Sequence, residues 1–352
     1  MGKEHILVTG GAGYIGSHVV HHLLRLGWDV IVLDDLSNGQ AAFVPSECLI
    51  VGDVGNRALL QDIFSRYSIT AVCHLAASIA VGESTVNPGK YYRNNVSNTL
   101  TLLDVMVLAE VKHLIFPSTC AVYGEPAITP IPEIHPLSPI SPYGVTKLMV
   151  ERILEDYRKA HDLQSVVLRF FNAAGADPSG LMGEAHDPET HLIPIVIEAA
   201  LGLRPYITIN GSDYPTRDGT CIRDYIHVLD LAKAFDRSLT YLRTHHRSLT
   251  VNLGNQRGFS VREVIDMVRQ ISGRDFEVRM GSRREGDPPA LVGSAEVAAA
   301  ELDWIPDYPD LETIIRHAWQ WHAGQHLGQH SGQTTGLGLG VQTGSVAPTP
   351  IP

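Results

Sequence analysis

The chain has little from which to build a disulfide framework or a cysteine-based metal site. Its 352 residues include four cysteines, Cys48, Cys73, Cys120 and Cys221, far apart and with no C-x-x-C pair. That usage reads as reduced thiols in a cytoplasmic protein. Long apolar runs are missing as well: no uncharged stretch approaches the ~20 residues a membrane-spanning helix needs. No apolar signal region precedes the strand-like run that starts at Ile6, and Ile6 also stands where myristoylation would want Ser or Thr. Positive charge is in deficit. With 27 Lys and Arg against 38 Asp and Glu the net charge is −11, which argues against nucleic acid as a partner; a local pair of arginines can still hold a small anion. The expectation is a soluble, cytoplasmic protein with no membrane partner.

What the chain does have is a regular alternation. Apolar runs at 6–9, 30–33, 49–51, 71–75, 114–117 and 165–169 are separated by stretches with helical spacing, the pattern of an α/β fold built on a doubly wound parallel sheet. The expected organisation is a Rossmann-type domain over 1–174 and a smaller mixed α/β substrate domain over 175–323, some segments of which can return to the first. The substrate should lie in the cleft between them. A tail over 324–352, rich in Gly, Gln, Thr, Ser and Pro, is expected to be disordered. His322, His326 and His330 are spaced by four, but Gly324 and Gly328 predict that no helix carries all three, so no metal site is expected.

Directly after the first run comes Gly10-Gly11-Ala12-Gly13-Tyr14-Ile15-Gly16, and then helical spacing at Ile15, Val19, Leu23 and Leu26. Strand, glycine turn and helix together make a dinucleotide site, with the pyrophosphate on the free N–H groups of the helix start. The second run ends at Asp34, placed to accept hydrogen bonds from the adenosine ribose. A 2′-phosphate would be repelled there, and Asp35, Ser37, Asn38, Gly39 and Gln40 add no positive charge. The cofactor expected is NAD.

Ser141-Pro142 predicts a helix start just before Tyr143, which puts Tyr143 and Lys147 at i and i+4 on one face. A free phenol, with a pKa near ~10, is a poor base at neutral pH. A nearby ammonium and an oxidised nicotinamide would favour the phenolate. Thr119, near the end of the fifth run, would add a hydroxyl at the carboxyl edge of the sheet, so Tyr143, Lys147 and Thr119 are the candidate catalytic residues.

These motifs, with Ala80-Val81-Gly82-Glu83-Ser84, Tyr91-Tyr92-Arg93-Asn94-Asn95, Arg169-Phe170-Phe171-Asn172, the run from Asp213 to Val228 and Arg283-Arg284-Glu285-Gly286-Asp287-Pro288-Pro289-Ala290, carry a resemblance. From about Lys3 to about His322 the chain resembles the extended short-chain dehydrogenase/reductases and, within them, the UDP-glucose 4-epimerase family. The resemblance implies Tyr143 as acid/base, Thr119 as its hydroxyl partner and Lys147 as the anchor of cofactor and proton. It implies an NAD site of Gly10, Gly13, Tyr14, Ile15, Gly16, Asp34, Asn38, Asp53, Val54, Leu75, Ala76, Ala77, Asn94, Tyr143, Lys147 and Phe171. Thr119, Tyr143, Asn172, His191, Leu192, Arg223, Arg284, Asp287 and Leu291 would then hold a UDP-sugar, the guanidinium groups forking onto the diphosphate.

The activity implied is exchange of UDP-glucose and UDP-galactose through a 4-keto sugar, with N-acetylated UDP-sugars as an alternative substrate class where Leu291 leaves room. A non-catalytic NAD-binding sensor is the reading from another class, and such proteins typically lose the Tyr or the Lys. Cys120 and Ala121 stand where dehydratase relatives often place acids. Ile79 replaces a lysine common in the family, and Pro117 a serine, leaving Ser118 and Thr119 as the hydroxyl pair. A homodimer is expected through the helix after Pro88, with Val96, Leu100, Leu103 and Val107 on one stripe and Leu102, Met106 and Ala109 on another.

Overall fold

The six apolar runs become six parallel strands in the computed structural model, which describes residues 3–284 and 286–327: β1 Glu4–Thr9, β2 Asp29–Asp34, β3 Leu49–Val51, β4 Ser68–His74, β5 His113–Thr119 and β6 Gln164–Phe170. A seventh, Leu249–Leu253, returns from far down the chain and pairs with β6. Across the sheet the order is Leu249–Leu253, β6, β5, β4, β1, β2, β3. Helices cover both faces, which is why Ile6, Leu7 and Val8 are consecutive and all buried. One face packs Val19, Val20 and Leu23 of the helix Tyr14–Arg25 with Leu231, Phe235 and Leu239 of Val228–His245. The other packs Leu60, Leu102, Met106, Val150 and Leu154, from the helices Arg57–Arg66, Asn98–Leu108 and Pro142–His161. Strand order reverses between β4 and β1, and the crevice at their carboxyl ends is where such sheets take ligands.

The rest forms a second layer beyond that edge. Ile222–His227 pairs with Gly258–Ser260, Ala290–Leu291 and Asn172–Ala174, and Tyr206–Asn210 pairs with Glu277–Gly281. A separate apolar cluster, including Ile193, Val196, Val264, Val268, Ile314 and Ile315, joins the helices Leu192–Ala200, Val261–Ser272 and Leu311–Leu327.

Two expectations need correction. The helix Leu311–Leu327 runs through Gly324, held by Trp321 and His322, both buried; packing outweighs the ~1 kcal/mol that a helical glycine costs. The remaining tail, with His330, lies outside the described residues. In Asn98–Leu108 and the turn before it, Val96, Leu102, Leu103 and Met106 are all buried within the subunit, so the two stripes do not divide into an inner and an outer one. Leu100 and Leu108 face outward, as does Met149 of Pro142–His161, whereas Ile153 and Tyr157 of that helix pack against the core. The Tyr157 hydroxyl donates to Asp104 Oδ1 at 2.7 Å. No helix among the described residues is long and apolar enough to cross a membrane.

Candidate active site

The glycine turn is shaped by lack of space. Gly10 has φ +70°, and a Cβ there would stand 2.5 Å from the backbone nitrogen of Ala76, in the segment after β4. A Cβ on Gly16 would overlap the Gly10 carbonyl oxygen. Gly13 starts the helix Tyr14–Arg25 with no side-chain cap and no acid in its first turn, so the first-turn N–H groups of Tyr14, Ile15 and Gly16 are available to an anion. The Tyr14 side chain turns away and donates to the Gly175 carbonyl at 2.7 Å, leaving its backbone for that role.

At the end of β2, Asp34 is buried and accepts from Ala12 N and Leu36 N, each at 2.9 Å. Burial pushes its carboxyl up, and those two N–H groups pull it back. Asn38 is exposed in the following loop and Val54 is buried. Exposed Asp53 accepts from Gly55 N at 2.7 Å and from Asn98 Nδ2 at 3.3 Å. Leu75, Ala76 and Ala77 line the segment leaving β4, where Leu75 N donates to Thr9 O at 2.9 Å. Beneath them the His74 ring bridges Thr9 Oγ1 at 2.7 Å and Thr99 Oγ1 at 2.8 Å, and burial pushes it down to about 3, so it is neutral.

Asn94 lies in a π-helical turn, Tyr92–Ser97, a local widening that recurs at functional sites. Its Nδ2 donates to Ser78 Oγ at 3.2 Å. Its neighbour Asn95 accepts from Ser78 N at 2.8 Å and donates to Thr146 Oγ1 at 3.2 Å, which ties the cofactor loop to the Tyr143 helix. A turn too tight for side chains, an uncapped helix start and an acid at the end of β2 fit a dinucleotide with a free 2′-hydroxyl.

Ser141 Oγ accepts from Gly144 N at 3.2 Å and Pro142 occupies the first turn, so Pro142–His161 begins where expected. Gly144 is needed for the approach of this helix to the sheet: a Cβ there would stand 2.8 Å from the Ala121 carbonyl oxygen. Thr119, the last residue of β5, accepts from Ala121 N at 3.1 Å, and its side chain approaches the Tyr143 phenol. Tyr143 as a whole is partly exposed, but its hydroxyl lies deep. Burial pushes the phenol up to about 12, with the Thr119 side chain pulling the other way.

Lys147 does not aim its charge at that phenol as expected. Its Nζ donates to the Pro117 carbonyl at 2.8 Å and lies 4.7 Å from the centre of the Phe116 ring. Burial pushes the ammonium down to about 7, Glu151 pulling the other way. The i,i+4 spacing supplied the shared face; in so dry a site burial disfavours both charges, and Lys147 alone does not make the phenolate.

A network absent from the sequence reading holds this helix in place. Glu151, eight residues after Tyr143, pairs with Arg169 NH2 at 2.7 Å and Nε at 3.1 Å, and accepts from Ser118 Oγ at 2.5 Å. Arg169 also donates to Tyr123 Oη at 2.9 Å and the Glu133 carbonyl at 3.1 Å. Ser118 thus faces the helix, and Thr119 alone serves the crevice. The signal was an acid at i+8 on the Tyr143 helix and an arginine inside an apolar strand.

From the second layer, Asn172 Nδ2 donates to the Asp224 carbonyl at 2.9 Å. Arg223 pairs with Asp287 and donates to the Ile222 carbonyl at 2.7 Å. It lies close enough to Cys120, beside Thr119, to pull that thiol down, although burial leaves it at about 11. Leu291 pairs in register with Arg223 and packs with Phe171 against Cys120, Val122 and Tyr123. Arg284 is exposed; with the Asn210 amide oxygen turned to it, Nε and NH2 both donate at 3.1 Å. Glu285 lies outside the described residues. His191 stands at the N-cap position of the helix Leu192–Ala200 without a capping bond from its side chain, while Leu192 packs on the second-layer core. Its imidazole faces Glu184 and Glu189: burial works against the charged ring, but the two carboxylates push it up to about 10. Asn172, Arg223, Asp287 and Leu291 therefore gather around one strand facing the β5 end, with Arg284 and His191 on flanking segments.

Comparison with known proteins agrees with this geometry. A model of the NAD dependent epimerase/dehydratase family matches residues 6–254. The chain is similar to a UDP-glucose 4-epimerase of Halalkalibacterium halodurans, with 51% identity over 90% of this chain and 95% of the relative. Among solved structures it is similar to UDP-glucose 4-epimerase from Brucella ovis in complex with NAD, with 47% identity, a TM-score of 0.88 and coverage of 90% and 97%. A UDP-glucose 4-epimerase from Bifidobacterium longum in complex with NAD+ and UDP is 36% identical, with a TM-score of 0.86 and coverage of 92% and 99%.

Proposed function

The chain belongs to the NAD dependent epimerase/dehydratase family and, within it, to the UDP-glucose 4-epimerases, and on that premise we propose how its residues interconvert UDP-glucose and UDP-galactose. The observation that carries the proposal is the convergence of the Thr119 side chain, at the carboxyl end of β5, on the Tyr143 phenol, which it pulls down, with Lys147 one turn away and the glycine turn across the crevice.

NAD, when bound, accepts hydride from sugar C4 and returns it. Tyr143 Oη takes the proton of the sugar 4-hydroxyl and gives it back on re-reduction, because it is the acid/base group placed there. Thr119 Oγ1 orients the phenol and shares its hydrogen bond with the sugar hydroxyl. Lys147, fixed on the Pro117 carbonyl, has two further N–H groups to direct at the nicotinamide ribose. With the phenol pushed up to about 12 by burial, the positive charge of an oxidised nicotinamide, held by the glycine turn and Lys147, would favour its ionised form. Arg223 and Arg284 hold the diphosphate, Asn172 the sugar side, and the 4-keto sugar turns about that linkage to present its other face. Asp34 would hold the adenosine ribose. Elimination chemistry is disfavoured, since Cys120 and Ala121 offer no acid where a dehydratase needs one.

The reaction is tested by incubating the purified protein with UDP-galactose and separating the products. UDP-glucose should form to equilibrium with no net NADH; accumulation of NADH in step with product, or no conversion, would overturn the reading.

Two further points belong to the proposal. The chain forms a homodimer through the faces of Asn98–Leu108 and Pro142–His161 that carry Leu100, Leu108 and Met149, of which Leu108 is 66% and Met149 40% exposed; light scattering should give twice the chain mass, and a monomer at micromolar concentration would refute this. The cytoplasm is the compartment proposed, as all four cysteines are free thiols.

A further inference from the structure

Residues 184–191 read Glu-Ala-His-Asp-Pro-Glu-Thr-His, and none of the four charged or imidazole groups Glu184, His186, Glu189 and His191 has a part in the proton or hydride steps. One donor atom of each lies within 4.8 Å of all the others. His186 Nδ1 is 3.0 Å from Glu184 Oε1 and 3.9 Å from Glu189 Oε2. His191 Nδ1 is 2.7 Å from Glu184 Oε1 and 3.1 Å from Glu189 Oε1. Donors around a tetrahedral ion with bonds of ~2.0–2.2 Å lie ~3.3–3.6 Å apart, and these separations straddle that range.

A second observation points to a missing partner. Glu184 and Glu189 have side chains only 5% and 3% exposed. Glu189 Oε1 is well supplied, accepting from Thr190 N at 2.7 Å and His191 N at 2.8 Å. Its Oε2 is buried and receives no hydrogen bond, although a buried carboxylate oxygen left without a donor is costly. The segment is tied to its surroundings: Trp321 Nε1 donates to the Glu184 carbonyl at 2.8 Å, and the Tyr14 ring meets His186 edge-on at 6.4 Å. His191 leaves a route in, its side chain being 44% exposed.

We propose that Glu184, His186, Glu189 and His191 bind one divalent transition-metal ion of the zinc class through two imidazole nitrogens and two carboxylate oxygens. Two carboxylates cancel the ion's charge in a buried setting, and two imidazoles favour zinc-like ions over magnesium or calcium. The ion pins the loop in front of Leu192–Ala200, the helix start assigned above to the UDP-sugar. It departs from the sequence expectation of no metal, and it stands on this cluster whatever the reaction turns out to be.

The test uses untagged protein stripped with chelator, titrated with Zn2+ by calorimetry and with Co2+ by visible absorption, alongside His186→Ala and Glu189→Gln. The wild type should take up one Zn2+ per chain and give the visible d–d bands of four-coordinate Co2+. Each variant should bind more weakly by over ~100-fold, beyond the ~10–100-fold typical of losing only an outer hydrogen-bond partner, while keeping native circular dichroism. If Glu189→Gln fails to fold, His186→Ala carries the test, since its ring is partly exposed. No saturable uptake by the wild type, or unchanged uptake by folded His186→Ala, would overturn the proposal.

Discussion

Replacing Glu151 by alanine should cost the protein far more than a surface acid would. The Glu151–Arg169 pair has side chains only 9% and 6% exposed, and Glu151 accepts from Ser118 and from two nitrogens of Arg169. Alanine would leave the guanidinium buried with only the Tyr123 hydroxyl and the Glu133 carbonyl, both neutral. Breaking a buried pair from one side costs about 3–5 kcal/mol, a large share of the ~5–15 kcal/mol by which a domain is stable. Catalysis should suffer too, since Glu151 anchors the helix of Tyr143 and a misplacement of ~1 Å can cost ~10²-fold. Glu151→Leu with Arg169→Met should recover much of the stability, because an apolar pair of similar volume leaves no stranded charge. Urea unfolding of all three proteins, corrected for NAD linkage with each protein's own affinity, is the assay. A loss under ~1 kcal/mol for Glu151→Ala, or a double variant no more stable than the single one, would refute the reasoning.

Tyr143→Phe should lower kcat by at least ~10²- to 10⁴-fold with little change in UDP-sugar affinity, as it removes the proton carrier and leaves the arginines; Thr119→Ala should be milder, and steady-state kinetics with a binding titration check both. Leu291, packed beside Phe171, leaves more room than tyrosine would, so the wild type should turn over UDP-N-acetylglucosamine. Leu291→Tyr should cut kcat/KM for that sugar selectively by ~10- to 200-fold, the scale of size discrimination in an apolar pocket.

The parts of the site set by short-range spacing were legible in the chain. Gly10 to Gly16, Asp34 at the end of β2 and the Ser141-Pro142 helix start each follow from local geometry, and the structure puts them where the spacing implied. Direction and environment were not legible. Helical spacing put Lys147 on the face of Tyr143, but its rotamer and the burial of both groups arise from β5 and Phe116, contacts made across the fold. Ser118 and Thr119 point opposite ways because a strand alternates, and which of them faces the crevice depends on which side the helix packs. The return of Leu249–Leu253 to the sheet and the burial of Leu102, Leu103, Val105 and Met106 in Asn98–Leu108 are likewise settled by packing partners distant in sequence. The Glu184–His191 spacing was visible, but only folding shows four donors converging.

The central claim is that hydride leaves C4 of the sugar and returns to the same carbon within one active site. UDP-galactose deuterated at C4, incubated with the purified protein in ordinary water without added NAD, should give UDP-glucose that keeps its deuterium at C4, with a slower rate than the unlabelled sugar. Loss of the deuterium to solvent would contradict the account.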